Sequence, residues 1–324
     1  MDLLDAALAN LLSPPILSFV LGVAADAARS DLDIPDPIAK ALAIYLIFSI
    51  GLKGGVAVTE GGDLGVLLPA LLTGVVLSFT QPLLAFALLR ATSRLSGLDA
   101  AATAAHYGSV SVVTFVAAVQ FLQLAGLPAE GFMPAVVAVM ETPAIVSGLL
   151  LARRFDSAAR GGQGHVWREA LVNGSVVVLV GAFVIGLLTG PDGLERVGAF
   201  FVAPFQGVLC LFLLEMGLVV ARRLRASRGL SPALIAFALY MPPISAAFGL
   251  AAGWAIGLST GGTAILATLA ASASYIAVPA AMRLALPRAD PAISLTLALA
   301  ITFPFNVIVG IPVYVQAARW LGGG

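Results

Sequence analysis

Two clusters of small polar residues interrupt apolar stretches of the chain, and their composition suits the binding of an anion. The first is HYGSVSVVT at 106–114 and the second is ASASYIAVP at 271–279. Gly108 allows a helix to break, and Pro279 removes an amide that a continuous helix would use. A helix that restarts after a break presents free amides and the positive end of its dipole, which attract an anion without a basic side chain. The candidate substrate ligands are Tyr107, Gly108, Ser109, Val110, Ser111, Ser272, Ala273, Ser274 and Tyr275.

A carboxylate among hydroxyl groups indicates a second kind of chemistry. Glu141 lies in the middle of an apolar stretch, directly before Thr142 and Pro143. Carboxylate, hydroxyl and carbonyl oxygens are ligands for a hard cation such as sodium, and an ionisable group deep in a membrane is a functional candidate. The alternatives are that Glu141 carries a coupling proton or is a protonated structural group. The candidate residues for cation binding or coupling are Ser111, Thr114, Glu141, Thr142, Thr302 and Asn306.

Two further charges stand in apolar stretches. Lys53 follows Gly51 by two residues, and Glu215 precedes Gly217 by two. If the two helices cross antiparallel at these glycines, the charges lie at the same depth. We therefore expect Lys53 and Glu215 to form a structural ion pair, with a role in transport as the alternative.

The sequence gives little support for catalysis. The string GLSTG at 257–261 matches a nucleophile elbow, but it joins two apolar stretches instead of a strand and a helix, so a hydrolase that uses Ser259 is the weaker interpretation. Neither His106 nor His165 has metal-ligating neighbours, so zinc is not expected. We expect no catalytic residue, no cofactor and no metal beyond sodium.

The composition requires a lipid environment for these residues. Of the 324 residues, 60% are hydrophobic and 10% are charged, and the mean hydropathy is +1.03. Because soluble proteins carry about 25% charged residues, the chain is predicted to be an all-α polytopic membrane protein. The 17 basic residues balance 17 acidic ones and are scattered, which excludes a nucleic-acid-binding surface.

Ten apolar stretches, each long enough to span a bilayer at about 20 residues, are separated by Gly, Pro and charge. They are residues 12–28, 37–58, 64–90, 98–125, 130–154, 168–189, 195–221, 231–258, 260–286 and 291–320. If alternate loops lie on opposite sides, 14 of the 17 Lys and Arg fall on one side, and only Lys53, Arg196 and Arg319 on the other. Since cytoplasmic loops carry the basic excess, both termini are predicted to lie outside the cytoplasm, in a bacterial inner membrane.

The two halves of the chain share short matches in the same order. IGL at 50–52 matches MGL at 216–218, SVS at 109–111 matches SAS at 272–274, and ETP at 141–143 matches TFP at 302–304. Five spans in each half give the second half the opposite orientation. The predicted domains are a first repeat at 1–157, a cytoplasmic linker at 158–167 and a second, inverted repeat at 168–324, with broken spans four and nine crossing. Small polar residues also occur where membrane helices pack, but paired placement favours a binding site.

At these residues the sequence resembles the SbtA-type sodium-dependent bicarbonate transporter family of bacteria. The resemblance is carried by IGLKGG at 50–55, GSVSVVTFVAA at 108–118, METPAIV at 140–146, LPRADP at 286–291, and GIPVY at 310–314 with the terminal LGGG. It implies a ten-helix inverted repeat with gate and core domains, bicarbonate between the crossed breaks, sodium beside it, and a homotrimer. Glu141 and Tyr275 stand where the family is expected to have Asp. Whether a PII-like regulatory protein binds is left open, because the linker is short for the family.

These observations predict a secondary active transporter that imports a small monoanion, bicarbonate first, coupled to sodium. One alternative is a proton- or sodium-coupled permease for another small carboxylate, because amide dipoles select charge more than identity. The other is a protein on the same fold that senses an anion without moving it.

Overall fold

The computed structural model describes residues 12–59, 64–155, 174–226 and 230–323, and these ranges contain helices and no strand. The predicted linker at 158–167 lies outside the described residues. The helices are α1 (Pro14–Ala27), α2 (Asp36–Thr59), α3 (Leu64–Thr92), α4 (Gly97–His106), α5 (Val112–Leu124), α6 (Met133–Ala152), α7 (Gly174–Phe201), α8 (Phe205–Ala226), α9 (Pro232–Ala255), α10 (Thr260–Ala271), α11 (Ala277–Ala285) and α12 (Pro291–Leu321). Eight of the ten predicted stretches coincide with one of these helices or with a broken pair, and the stretches 168–189 and 195–221 share α7.

Many of the helices match the thickness of a bilayer. Within the described ranges, seven are long and apolar enough to cross a membrane, namely α2, α3, α6, α7, α8, α9 and α12. Three shorter apolar helices, α1, α5 and α10, have 10–17 residues. Large apolar side chains point outward on these helices, for example Leu188 at 79% and Leu124 at 67% exposure. Such surface is stable in contact with lipid, so the described helices form a multi-pass membrane protein.

Helix α7 contains the boundary that the sequence predicts after residue 189. Its backbone leaves the helical conformation at Gly190, with φ 58° and ψ −160°, so α7 consists of two helical segments joined by a kink. Only glycine adopts this backbone conformation without strain, and a proline in the next position needs no amide partner when a new helical turn begins there. The predicted stretch 195–221 is not one helix, since the second segment ends at Phe201 and α8 begins at Phe205.

The helices form two groups. In the first group, which we call the glycine-crossed group, α1 packs on α8 and α2 packs on α7. A Cβ on Gly217 would lie 3.0 Å from Gly22 Cα, and a Cβ on Gly51 would lie 2.6 Å from the Leu179 carbonyl oxygen, so both crossings depend on glycine. Backbones approach this closely only where side chains are absent. The second group, formed by α3 to α6 and α9 to α12, holds both polar clusters.

Candidate functional site

The first polar cluster is a helix break. Helix α4 ends at His106, and α5 begins at Val112 with Ser111 as its N-cap, whose Oγ accepts from Thr114 N at 3.2 Å. Gly108 lies directly against α3: a Cβ there would overlap the Pro82 ring and lie 2.6 Å from the Ser78 carbonyl oxygen. Glycine is therefore required by the close approach of α3.

The second polar cluster is also a helix break. Helix α10 ends at Ala271, and α11 begins at Ala277. Pro279 is the third residue of α11, where an amide has no partner within the helix, so it is compatible with the helix that follows the break. Both predicted breaks are thus present, at residues 107–111 and 272–276.

The two breaks are hydrogen-bonded to each other. Ser274 N donates to the His106 carbonyl oxygen at 2.8 Å, and His106 Nδ1 lies 2.6 Å from the Ser274 carbonyl oxygen. A carbonyl only accepts, so Nδ1 carries the proton. Ser111 N donates to Ser272 Oγ at 2.9 Å. The breaks therefore form one unit although they are 161 residues apart in the chain.

Buried amides without partners mark both breaks. In the described part of the chain, the N–H groups of Val112 and Val113 in α5 and of Ala277 and Val278 in α11 have no acceptor. All four residues are at most 6% exposed. Because more than about 90% of buried amides are paired in native proteins, four unpaired amides at two helix N-termini indicate a place for an anion.

A small cavity lies where the breaks meet Glu141. Its volume is about 10 Å³, and it is lined by Val110, Ser111, Val112, Glu141, Ser274, Tyr275 and Ile276. Glu141 is 4% exposed, and its Oε2 has no hydrogen-bond partner in the described residues. A volume of this size holds one water-sized particle, which suits a water molecule or a dehydrated sodium ion. The hydroxyls of Ser109, Thr114 and Tyr275 are also buried, and no described residue bonds them.

Other predicted site residues are bonded to the protein. Thr302 Oγ1 donates to the Ala238 carbonyl oxygen and accepts from Tyr107 Oη, both at 2.8 Å. Asn306 Nδ2 donates to the Ala271 carbonyl oxygen at 2.8 Å, and its Oδ1 accepts from Tyr314 Oη at 3.0 Å. Thr302 and Asn306 belong to two π-helical stretches of α12, and neither lines the cavity beside Glu141. The structure therefore does not bring them together with Glu141. Thr142 is half-buried and does not line that cavity either.

The sequence interpretation missed two polar residues of α3. Ser78 Oγ donates to the Met140 carbonyl oxygen at 2.5 Å and accepts from Ala144 N at 3.2 Å, so it bridges α6 where Pro143 disturbs the helix. The Gln81 amide faces two carbonyl oxygens, so its nitrogen donates to both, Ala270 at 2.8 Å and Tyr107 at 2.9 Å. Two polar side chains at i and i+3 in an apolar stretch are the signal that would have identified this face of α3.

The expected ion pair between Lys53 and Glu215 is wrong. Gly51 and Gly217 do not cross each other, since each packs on a different helix. Asp33 and Arg222 form an ion pair at 2.8 Å that joins the start of α2 to the end of α8. At 1.5 Å per residue, Lys53 lies about 25 Å along α2 from that end and Glu215 only about 10 Å along α8. The Lys53 Nζ instead lies 4.5 Å from the centre of the Phe205 ring.

The GLSTG string is a helix start. Ser259 is the N-cap of α10, its Oγ accepts from Gly262 N at 3.0 Å, and its own N–H donates to Glu130 Oε1 at 2.6 Å. The serine thus begins a membrane helix in the way that Ser111 begins α5.

The paired helix breaks and the apolar helices agree with a comparison to known protein families. The family model described as the Na⁺-dependent bicarbonate transporter superfamily matches residues 14–319. The chain belongs to this superfamily. It is therefore a multi-pass protein of a transporter family, as the resemblance implied. No curated protein matches the chain.

Proposed function

We propose that this member of the superfamily imports bicarbonate together with sodium, and that the two helix breaks hold the anion. The observation that carries the proposal is the set of four buried, unpaired amides at the N-termini of α5 and α11. These amides can attract a monovalent anion without a basic side chain. Among the described residues that line the cavity beside the breaks there is no Lys or Arg, so dipoles supply the attraction.

Glu141 is proposed to bind the sodium ion. Its free carboxylate oxygen lies in a cavity with the hydroxyl-bearing residues Ser111, Ser274 and Tyr275, and the break leaves carbonyl oxygens nearby. Hard oxygen donors in a small cavity suit a cation without its water shell. A sodium ion beside the amides also offsets the charge of bicarbonate, so the two ions favour each other's binding.

The glycine crossings support the proposed inverted repeat. Gly22 precedes Gly51 by 29 residues, and Gly186 precedes Gly217 by 31. In the proposed repeat α1 corresponds to α7, and α2 corresponds to α8. The contact of α1 with α8 is then equivalent to the contact of α7 with α2, and the structure has both contacts. We propose that the glycine-crossed group moves against the second group to open the site to either side. The basic residues favour an orientation with Arg222 and Arg225 at the cytoplasmic face.

Transport into proteoliposomes tests the proposal. Purified protein should accumulate ¹⁴C-labelled bicarbonate when sodium is imposed outside and should fail to do so when potassium replaces it. An imposed proton gradient without sodium distinguishes the proton-coupled alternative. Unlabelled formate and acetate as competitors test other small carboxylates. Protein that is folded and reconstituted but moves no bicarbonate under either gradient would refute bicarbonate transport.

A further inference from the structure

A second, larger cavity lies between the two helix groups. Its volume is about 160 Å³, which is room for a small anion with several waters. The glycine-crossed group contributes Ile50, Lys53 and Phe205, and the second group contributes Phe115, Val119 and Gln123. The rim is exposed at Gln123, and the floor is buried at Ile50, Phe115 and Phe205. The cavity therefore opens at the side of the α5–α6 loop and closes inward.

A lysine on the wall brings an ammonium group to this cavity. Lys53 Nζ lies 4.5 Å from the centre of the Phe205 ring, and in the described residues it has no carboxylate partner. Glu130 lines the same cavity and carries a negative charge. Its Oε1 accepts from Ser259 N at the start of α10, where the positive end of the helix dipole offsets that charge, and its Oε2 has no hydrogen-bond partner in the described residues. The ring covers one side of the ammonium group, and the cavity leaves another side open to a ligand.

The floor of this cavity is close to the first helix break. Phe115, Val119 and Leu122 follow one face of α5 and all line the cavity. Phe115 stands four residues after Ser111, about 6 Å along the helix axis. The cavity therefore reaches to within about one helical turn of the unpaired amides of α5, and Phe115 lines its inner end.

We propose that the Lys53 cavity is an outer binding site for a small monovalent anion, from which the anion reaches the helix breaks past Phe115. The ammonium group raises the local concentration of anions, whereas the site at the helix breaks has only amide dipoles to attract them. The apolar floor is a barrier to the free movement of ions from the cavity to the breaks. The inference rests on the proposed function for the identity of the anion, bicarbonate, and on the geometry of the cavity for the site itself.

Transport kinetics give the first test. Lys53→Met keeps the apolar stem against Phe205 and removes the charge. It should raise the apparent KM for bicarbonate about fivefold with little change in the maximal rate, because the outer anion concentration falls. Lys53→Arg should stay near wild type. Lys40→Met is the control, since Lys40 is exposed on the same helix nearer its other end. An unchanged KM in folded Lys53→Met protein would overturn the proposal.

Chemical labelling tests the site even if no bicarbonate is transported. In a Cys210→Ala background, which removes the single native cysteine, Gln123→Cys places a thiol at the rim. An anionic methanethiosulfonate should react faster with this thiol than a cationic one of similar size. Lys53→Met should lower the ratio of the anionic to the cationic labelling rate about tenfold. Added bicarbonate should slow the labelling only when Lys53 is present. Equal ratios with and without Lys53 would show that the cavity does not attract anions.

Discussion

His106 and Ser274 bond each other twice, although they belong to different halves of the chain. The His106 carbonyl oxygen accepts from Ser274 N at 2.8 Å, and the Ser274 carbonyl oxygen accepts from His106 Nδ1 at 2.6 Å. Both residues are at most 2% exposed. The pair therefore fixes the position of one break relative to the other, and with it the relative position of the unpaired amides in α5 and α11.

Replacing His106 should separate the two breaks. His106→Phe keeps a ring of similar size but leaves the Ser274 carbonyl without its donor, which costs about 1–3 kcal/mol. We expect a lower unfolding midpoint in detergent and slower bicarbonate uptake. The control is the same change at His165, the other histidine, which lies outside the described residues. Wild-type stability and uptake in His106→Phe would mean that the bond does not hold the breaks together.

A methyl group at position 108 should harm the site. Gly108→Ala places a Cβ on the Pro82 ring and 2.6 Å from the Ser78 carbonyl oxygen, so α3 and the first break must move apart. Overpacking of this kind costs about 1–3 kcal/mol. The affinity for the substrate should fall more than the expression level of the protein. Gly207→Ala is the matched control, because no atom of the described residues lies within 4 Å of a Cβ there. Equal affinities of the two variants would argue against a site at this break.

Glu141 should determine the ion coupling. If its carboxylate binds sodium, Glu141→Gln should remove the sodium dependence of bicarbonate uptake, and Glu141→Asp should keep it with a changed sodium affinity, since the oxygens move by one methylene. If Glu141 carries a proton, Glu141→Gln should still exchange bicarbonate but fail to accumulate it. Counterflow and gradient-driven uptake of the same protein separate these outcomes. Sodium-driven accumulation by Glu141→Gln would leave Glu141 as a structural residue.

Ser78 should support Glu141 from the neighbouring helix. Ser78→Ala removes the hydroxyl that bridges the Met140 carbonyl and Ala144 N, on either side of Glu141 and Pro143. If both groups stay unpaired, the loss costs about 1–3 kcal/mol of stability. If instead Ala144 N bonds directly to the Met140 carbonyl, α6 changes shape and the Glu141 carboxylate moves. Uptake should need more sodium for half-maximal rate. Thr80→Val is the control on the same helix, since the exposed Thr80 bonds only to its own helix. A sodium requirement equal to that of Thr80→Val would contradict this role.

Removing Lys53 and Glu215 should have independent effects. The two charges are about 15 Å apart along the helix axes, so the changes in unfolding free energy of Lys53→Met and Glu215→Leu should add within about 0.5 kcal/mol. A double-mutant cycle of thermal unfolding in detergent measures this sum. Recovery of stability in the double variant would restore the ion pair that the sequence predicted.

The sequence predicts the helical class and both breaks because these depend on local signals. The length of the apolar stretches, Gly108 and the Ser-x-Ser pairs are local features of the sequence, and the breaks are present at the predicted residues. The contacts between helices are not readable in this way. Gly51 has many possible partners, and its packing on α7 instead of Gly217 follows from the arrangement of four helices together.

The same limit explains which site residues were found. Glu141 is conspicuous because a charge in lipid is costly. Ser78 donates to the Met140 carbonyl oxygen and Gln81 to those of Ala270 and Tyr107, and only the folded structure shows that these groups come within hydrogen-bonding distance. Thr302 matched Glu141 in the repeat, but its hydroxyl is used by Tyr107 and Ala238.

The glycine crossings also determine when the protein can complete its folding during synthesis. Gly22 of α1 and Gly51 and Gly55 of α2 pack on α8 and α7, which the ribosome makes more than a hundred residues later. Until α7 and α8 are inserted, the small-residue faces of α1 and α2 lack these native neighbours in the bilayer. The first half therefore cannot reach its native packing alone, and separately produced halves should be stable only when they are made in the same membrane.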